Sequence, residues 1–399
     1  MPNRHTTLTS LFTDIAGAIR SKTGDSAEIK ADDFDTAIEA IPTGGEPAES
    51  DDYLYFECVE LTQGYSYSSF QTVFNGFDNN NIEKPRIQYS TDKINWIDTV
   101  NYKTFELNLN EKVYFRNLSD YLSVSSNIYF YFSSSSIRGK LKVGGRLGSM
   151  LNDVNTNTKS ASYSYSRLFS GNVNLVYSDE LKLVTTLSNN SFSRMFDSCS
   201  NLVTTPTLPY YETISNSAFE GMFYGCKKII TAPNISCKFA LQSSLTNMFA
   251  DCTSLINAPN IEIECMPDST TLAYMFKNCK SLEIPPALPN IFNSYNYTCY
   301  QYMFQNCTSL THVPALPSKK LLSNCYAYMF DGCTSLKVYA EPGEGHMKAW
   351  NIPGNGPIEV NTVSQNNMFR NVQTDSVPAT FPGKAGEQYT YYTEFDPVQ

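Results

Sequence analysis

The stretch Phe192-Ser193-Arg194-Met195-Phe196-Asp197-Ser198-Cys199-Ser200-Asn201-Leu202 decides how this chain is read. Its apolar residues Phe192, Met195, Phe196 and Cys199 stand at i, i+3, i+4 and i+7. That spacing predicts about two turns of helix with one buried face. Leu202 enters the same core, and Pro206 stops any helix and leads into an extended segment.

The same face recurs as Phe219, Met222, Phe223, Cys226, then as Leu245, Met248, Phe249, Cys252 and as Leu272, Met275, Phe276, Cys279. Tyr300, Met303, Phe304, Cys307 and Tyr326, Met329, Phe330, Cys333 continue it. The second aromatic of each copy falls at 169, 196, 223, 249, 276, 304, 330 and 369, at intervals of 27, 27, 26, 27, 28, 26 and 39. So regular a period predicts a solenoid of about 7–8 coils, each completing its core against its neighbours. The end copies depart as caps do. The first has Leu168-Phe169 with Asn172 in the cysteine position, and the last has Met368-Phe369 with Val372.

Outward from the repeats, the chain changes character twice. Residues 51–150 hold β-type runs, among them Tyr53–Leu61, Arg86–Tyr89, Phe105–Leu109, Val113–Phe115 and Ile128–Phe132, separated by polar turns. They predict a small β-sandwich acting as a spacer. Residues 44–50 (GGEPAES) form a linker. Residues 1–43 predict two short helices, with an apolar stripe of Leu8, Leu11, Phe12, Ile15 and Ile19, then Phe34 and Ile38. Helices this short bury little alone, so the stripe is read as a docking anchor covered by another protein, the alternative being a helical hairpin packed on the chain's own downstream domain. The expected fold is mainly β with short helices: anchor 1–43, linker 44–50, sandwich 51–150, and solenoid with C-terminal cap 151–399.

The phrase Met-Phe-x-x-Cys-x-Ser-Leu, followed by Pro-x-Leu-Pro, resembles the BspA-type leucine-rich repeats of gut bacterial surface proteins and their phages. The resemblance covers residues 161–375 and implies a leucine-rich-repeat solenoid with a role in adhesion. Leu11-Phe12-Thr13-Asp14-Ile15-Ala16, Ala18-Ile19-Arg20-Ser21-Lys22-Thr23-Gly24 and Ile29-Lys30-Ala31-Asp32-Asp33-Phe34 are similar to a leader of phage tail and other virion proteins. That leader implies attachment to a particle. Tyr89–Trp96 and Lys112–Arg116 are similar to the β-domain that precedes such repeats.

The composition excludes several function classes. A net charge of −10 makes nucleic acid and anionic membrane surfaces poor partners. No run of about 18 apolar residues is present to span a membrane. The N-terminus lacks a signal peptide's apolar stretch and cleavage site, so the product is expected to be made in the host cytoplasm and to leave by lysis or within a particle.

Catalytic and metal chemistry find little support, and no cofactor is expected. Histidine is limited to His5, His312 and His346, too scattered for a triad or a metal site. Six of the 11 cysteines share one position on the apolar face and read as small, reduced core residues. Cys237, Cys265, Cys299 and Cys325 lie between copies, where partial exposure and disulfides are open to them. Ser90-Thr91-Asp92-Lys93-Ile94-Asn95-Trp96 partly matches an Asp-box hairpin, a structural turn, and Trp96 reads as a core residue of the sandwich. Gly144-Gly145-Arg146-Leu147-Gly148 lacks the context of a phosphate loop.

What remains is a binding surface. Tyr274, Tyr302 and Tyr328 each precede the Met of successive copies and align as a stripe, with Tyr295 and Tyr297 between copies. Such aromatics suit sugars and proteins, although solenoid packing or lateral contact in a trimer also accounts for them. The expected function is a structural, non-enzymatic phage virion protein, a tail fibre or receptor-binding protein. Its N-terminus would dock on other virion proteins and its repeats would adhere to a host surface glycan or protein, as a homo-oligomer such as a trimer. A capsid head fibre or decoration protein, and a bacterial surface adhesin, are the alternatives.

Overall fold

The computed structural model describes residues 52–78, 80, 82–134, 136–153, 156–267, 270–290, 298–320, 324–359 and 367–399. The chain divides into two units, Met1–Asp51 and Asp52–Gln399. The first unit, with the two expected helices, lies outside the described residues.

The second unit opens with strands whose side chains alternate between core and solvent. They are β1 (Leu54–Leu61), β2 (Ser68–Asn75), β3 (Ile87–Ser90), β4 (Ile97–Asp98), β5 (Lys103–Leu107), β6 (Lys112–Asn117), β7 (Tyr129–Ser133) and β8 (Gly139–Arg146). Burial strictly alternates along β6 and β7, the signature of one face turned to a core. A six-stranded sheet runs β4-β3-β6-β1-β8-β9, where β9 (Leu175–Lys182) pairs parallel with β8. A three-stranded sheet runs β5-β2-β7. The two sheets pack through phenylalanines, with Phe56 on β1 stacked on Phe70 of β2 at 4.2 Å and Phe115 of β6 set edge-on to Phe132 of β7 at 4.8 Å.

Two further sheets follow. One is parallel, β10 (Tyr211–Ile214), β11 (Ile235–Ala240) and β12 (Ile261–Cys265). The other has the order β14-β16-β13-β15, from β13 (Lys337–Tyr339), β14 (Lys348–Ile352), β15 (Gln373–Asp375) and β16 (Tyr389–Thr393).

These findings correct the expected fold. Among the described residues there is no α-helix; the helical content is one short 3-10 turn, Leu147–Leu151. The strands fall into several separate sheets, none closed, in place of the wound sheet and short helices of a leucine-rich-repeat solenoid.

The segments read as helices are runs of consecutive turns. Along one copy, alternate N–H groups act differently. Those of Met195, Asp197 and Cys199 bond three residues back, to Phe192, Arg194 and Phe196. Those of Phe192, Arg194, Phe196 and Ser198 bond the carbonyls of Ala218, Glu220, Met222 and Tyr224 in the next copy. Every fourth residue is left-handed, as at Asn190, Arg194 and Ser198, with φ of 57°, 55° and 61°. A period of four also places residues i, i+3, i+4 and i+7 on one side, so the apolar spacing alone does not separate it from a helix. The hydrogen bonding does. A helix satisfies its interior N–H groups internally, whereas this turn run sends every second one to its neighbour.

The copies are joined at their cores too. Phe196, Phe223, Phe249, Phe276, Phe304 and Phe330 form a ladder of rings 5.4–5.8 Å apart and within 8° of parallel. Both ends are covered. Phe169 stacks on Phe196 and reaches Phe56 and Phe132 of the two-sheet region. At the other end, Trp350 of β14 stands edge-on to Phe330 and Phe369 and donates its indole N–H to the Pro314 carbonyl.

Candidate binding surface

Stacking copies turns each position of the repeat into a column of side chains. The left-handed position before Met holds Arg167, Arg194, Gly221, Asn247, Tyr274, Tyr302, Tyr328 and Asn367. The left-handed position before Cys holds Ser198, Gly225, Asp251, Asn278, Asn306 and Gly332, and Gly171 and Asn371 stand there in the end copies. Gly, Asn and Asp dominate this second column because they tolerate positive φ best. Gly332 has a further reason: a Cβ there would lie 2.3 Å from the Asn306 side-chain oxygen.

The three tyrosines expected to form a stripe are brought together. Tyr274 and Tyr302 stack at 4.8 Å and 10°, and Tyr302 and Tyr328 at 4.6 Å and 6°. All three are half-buried and left-handed, with φ of 60°, 55° and 57°. An L-residue in that conformation carries roughly 1–2 kcal/mol of backbone strain. Each ring pair returns about 0.5–1.5 kcal/mol. Lys277 lies 5.5 Å from the Tyr274 ring, and the Arg370 guanidinium lies 5.0 Å from Tyr328. Burial pushes the Tyr274 and Tyr302 phenols up from their ordinary value. Both faces of Tyr302 are occupied by its neighbours, so its exposed part is ring edge and hydroxyl.

The repeat cysteines are buried and free. Each thiol donates to the Phe carbonyl of the preceding copy: Cys199 to Phe169, Cys226 to Phe196, Cys252 to Phe223, Cys279 to Phe249, Cys307 to Phe276 and Cys333 to Phe304, at 3.0–3.1 Å. The same carbonyl also accepts the backbone N–H of its own copy's Cys, as Phe196 accepts Cys199. Both lone pairs of a buried carbonyl are thereby satisfied. Burial pushes these thiols far above their ordinary value. Cys237, Cys299 and Cys325 are buried as well, so of the four cysteines between copies, for which partial exposure was open, only Cys265 is half-buried. Burial pushes the Cys237 thiol up to about 12.

The remaining candidates separate. Tyr295, Tyr297 and the docking residues Leu8, Leu11, Phe12, Ile15, Ile19, Phe34 and Ile38 lie outside the described residues. Trp96 is not in the core: it is half-exposed, edge-on to Tyr53 at 4.8 Å and under the Arg116 guanidinium at 4.2 Å. It sits on the β3–β4 hairpin, where polar side chains rather than apolar packing shape the turn. Asp92 there accepts the N–H groups of Ile94 and Asn95 at 2.9 and 2.8 Å. Those bonds, that of the Asn95 backbone first, hold its carboxyl far below the usual range. His312 stacks on Phe395 and His346 on Tyr339, far apart in sequence and in different contacts. Gly144 packs against the Tyr55 ring and Gly145 against the Tyr53 carbonyl, so both serve strand packing. Among the described residues no cluster of His, Cys, Asp or Glu is placed to hold a metal, and no helix is long and apolar enough to cross a membrane.

Two features were not anticipated. Asp331, almost fully buried, receives Arg370 through two bonds of 2.9 and 2.6 Å, Gln305 at 2.9 Å and Asn371 at 3.0 Å. Burial draws its carboxyl up, but these donors outweigh that and hold it below the ordinary value. The other is a side-chain ladder in the column before Cys. Asn306 donates to Asn278 at 2.9 Å and Asn278 to Asp251 at 2.7 Å. The signal for both was present in the residues flanking Phe and Cys, once the copies are aligned by their intervals. No family model matches the chain, and no curated protein and no solved structure matches it either.

Proposed function

We propose that this chain is a structural phage virion protein that attaches to the particle through residues 1–43 and presents its repeat region for adhesion to the host surface. The observation that carries the reading is the Tyr274–Tyr302–Tyr328 stack. Three tyrosines fill successive places of a left-handed column that elsewhere holds Arg, Gly and Asn, and they stack on one another with their edges and hydroxyls outward. The resemblance of the repeats to BspA-type repeats, and of the leader to phage virion proteins, supplies the particle and the host. The tyrosine hydroxyls and edges, flanked by Lys277 and Arg370, form the contact surface for a host glycan or protein. The chain acts without a cofactor and as a homo-oligomer, for which an exposed row of Val203, Ile230 and Ile256 on the copies offers a lateral contact.

Immunogold electron microscopy of particles with an antibody to residues 161–375 tests the reading. Label at the tail tip is the expected result. Label over the head makes the protein a capsid fibre. Clean particles with labelled cells overturn the virion reading and leave a bacterial adhesin.

A further inference from the structure

Two columns of polar side chains run side by side across the copies and enclose an open groove of about 700 Å³. One wall is the left-handed column before Cys, with Ser198, Asp251, Asn278 and Asn306. The other lies two residues further along each copy, with Ser200, Lys227, Thr253, Lys280 and Thr308. Gly225 carries no side chain between Ser198 and Asp251, which leaves a step in the first wall. Tyr224 lines this step, and the Asp251 carboxylate beside it pushes its phenol up from the ordinary value.

The first wall is preorganised. Asn306 and Asn278 each direct one amide N–H along the column, to Asn278 and Asp251. An amide has two such donors, so one on each remains for a ligand. Hydroxyls add donors and acceptors at three of the five steps, from Ser198 and Ser200, from Thr253 and from Thr308. Below them the backbone is already satisfied: the N–H groups of Ser198, Gly225, Asp251, Asn278 and Asn306 each bond the next copy. A peptide strand laid in the groove would find no free ladder to join.

The two lysines are the informative members. In this acidic chain Lys112, Lys142, Lys182, Lys238 and Lys337 each lie within 4 Å of a carboxylate. Lys227 and Lys280, like Lys228 and Lys384, are exposed with no such partner among the described residues, and these two alone of the lysines line the groove. Both stand in one column, two copies apart, or about 10 Å at the usual strand spacing. The intervening copy carries Thr253 in their place. A single copy's rise is close to the length of one pyranose residue. Polynucleotides carry a phosphate on every unit and would meet Asp251 in the opposite wall, so this spacing does not suit them.

We infer that this groove binds a linear acidic polysaccharide lying along the stack, one sugar per copy, with a carboxylate on every second sugar paired to Lys227 and Lys280. The inference rests on the adhesion reading for the source of the polymer, the host surface, and it adds a second contact site beside the tyrosine stack.

The test is calorimetric titration of the full chain with a hyaluronan decasaccharide, whose carboxylates alternate, and with a neutral chitin oligosaccharide of similar length. Binding of hyaluronan that weakens with added salt, with the neutral chain at least tenfold weaker, is expected. Lys227→Gln/Lys280→Gln should lose at least tenfold in hyaluronan affinity while melting at the wild-type temperature. A wild-type chain that does not bind hyaluronan, or a double variant that binds it equally well, overturns the assignment, even where the protein still attaches to host cells. Hyaluronan binding sensitive to the double substitution upholds the groove even if cell attachment fails, an outcome that removes the adhesion reading instead.

Discussion

The two-sheet region and the repeat region both fill their cores with phenylalanine, and they do so in opposite ways. Between β1, β2, β6 and β7 most rings meet edge to face, as Phe56 meets Phe115 at 87° and Phe115 meets Phe132 at 65°. In the repeats, neighbouring rings are nearly parallel, as Phe223 and Phe249 at 4°. Residues brought together from distant strands can choose the geometry that suits the ring quadrupole. Residues copied at a fixed interval inherit one orientation from the backbone and repeat it. The first region is therefore a mutual fit of unlike parts, and the second is a sum of like parts, each stabilised by two neighbours.

The largest expected effect separates these two modes. Removing residues 224–249, one interval of 26, should leave a chain that folds cooperatively with a lower melting temperature. Removing β1, which pairs with both β6 and β8, should abolish the folded state. Circular dichroism melts of both deletions check this. Equal collapse of both would show that the repeats are not modular.

Within the ladder, Phe249→Ala should cost about 3–5 kcal/mol, the usual range for deleting a buried ring, measured by denaturant unfolding. Asp331→Ala should cost about 2–3 kcal/mol at neutral pH, since it removes charge-assisted bonds from Arg370 to a buried carboxylate. The sign with pH follows from the depressed carboxyl. In the wild type this contribution is full above the ordinary carboxylate range and is lost as pH falls through the folded-state value. The gap between wild type and Asp331→Ala should thus narrow in acid, and a gap that widens would refute the assignment.

Cys226→Ser should cost under about 1.5 kcal/mol, because a hydroxyl can keep the bond to Phe196, whereas Cys226→Val loses the donor and adds bulk, for about 1–3 kcal/mol. The smallest effect is expected at the surface. Tyr302→Asn removes two ring stacks and relieves one strained backbone position, so stability should stay within about 1 kcal/mol of wild type. Host-cell attachment should nevertheless fall, and a Tyr302→Asn chain that attaches as well as wild type would remove the tyrosine stack from the binding surface.

The repeat unit, its interval and its buried positions were legible because burial leaves a direct trace in residue type: every Phe, Met and Cys of the repeat face is buried. The local conformation was not, because 3.6 and 4 residues per turn diverge too little over eight residues to separate on apolar spacing alone. The clue stood one place earlier, in Gly225, Asp251, Asn278, Asn306 and Gly332 before the cysteines, residues poor in helices and suited to positive φ. The tyrosine stack was legible because like residues stood at like positions. The Asp251–Asn278–Asn306 wall was not, because unlike residues share that column and only the alignment of copies reveals it. Trp96 was misplaced for a different reason: residue type suggests burial, but a hairpin held by Asp92 carries it to the edge.

The thiol column has one further consequence. While the chain is folded, its repeat cysteines are occupied with carbonyls and sealed from solvent, so oxidants find nothing to react with. Once a segment opens in an oxidising medium, several thiols at regular intervals are released together and can cross-link before the copies restack. The opening step then becomes a one-way loss. In an oxidising medium the working life of the folded protein is then set by how rarely it opens, not by its equilibrium stability.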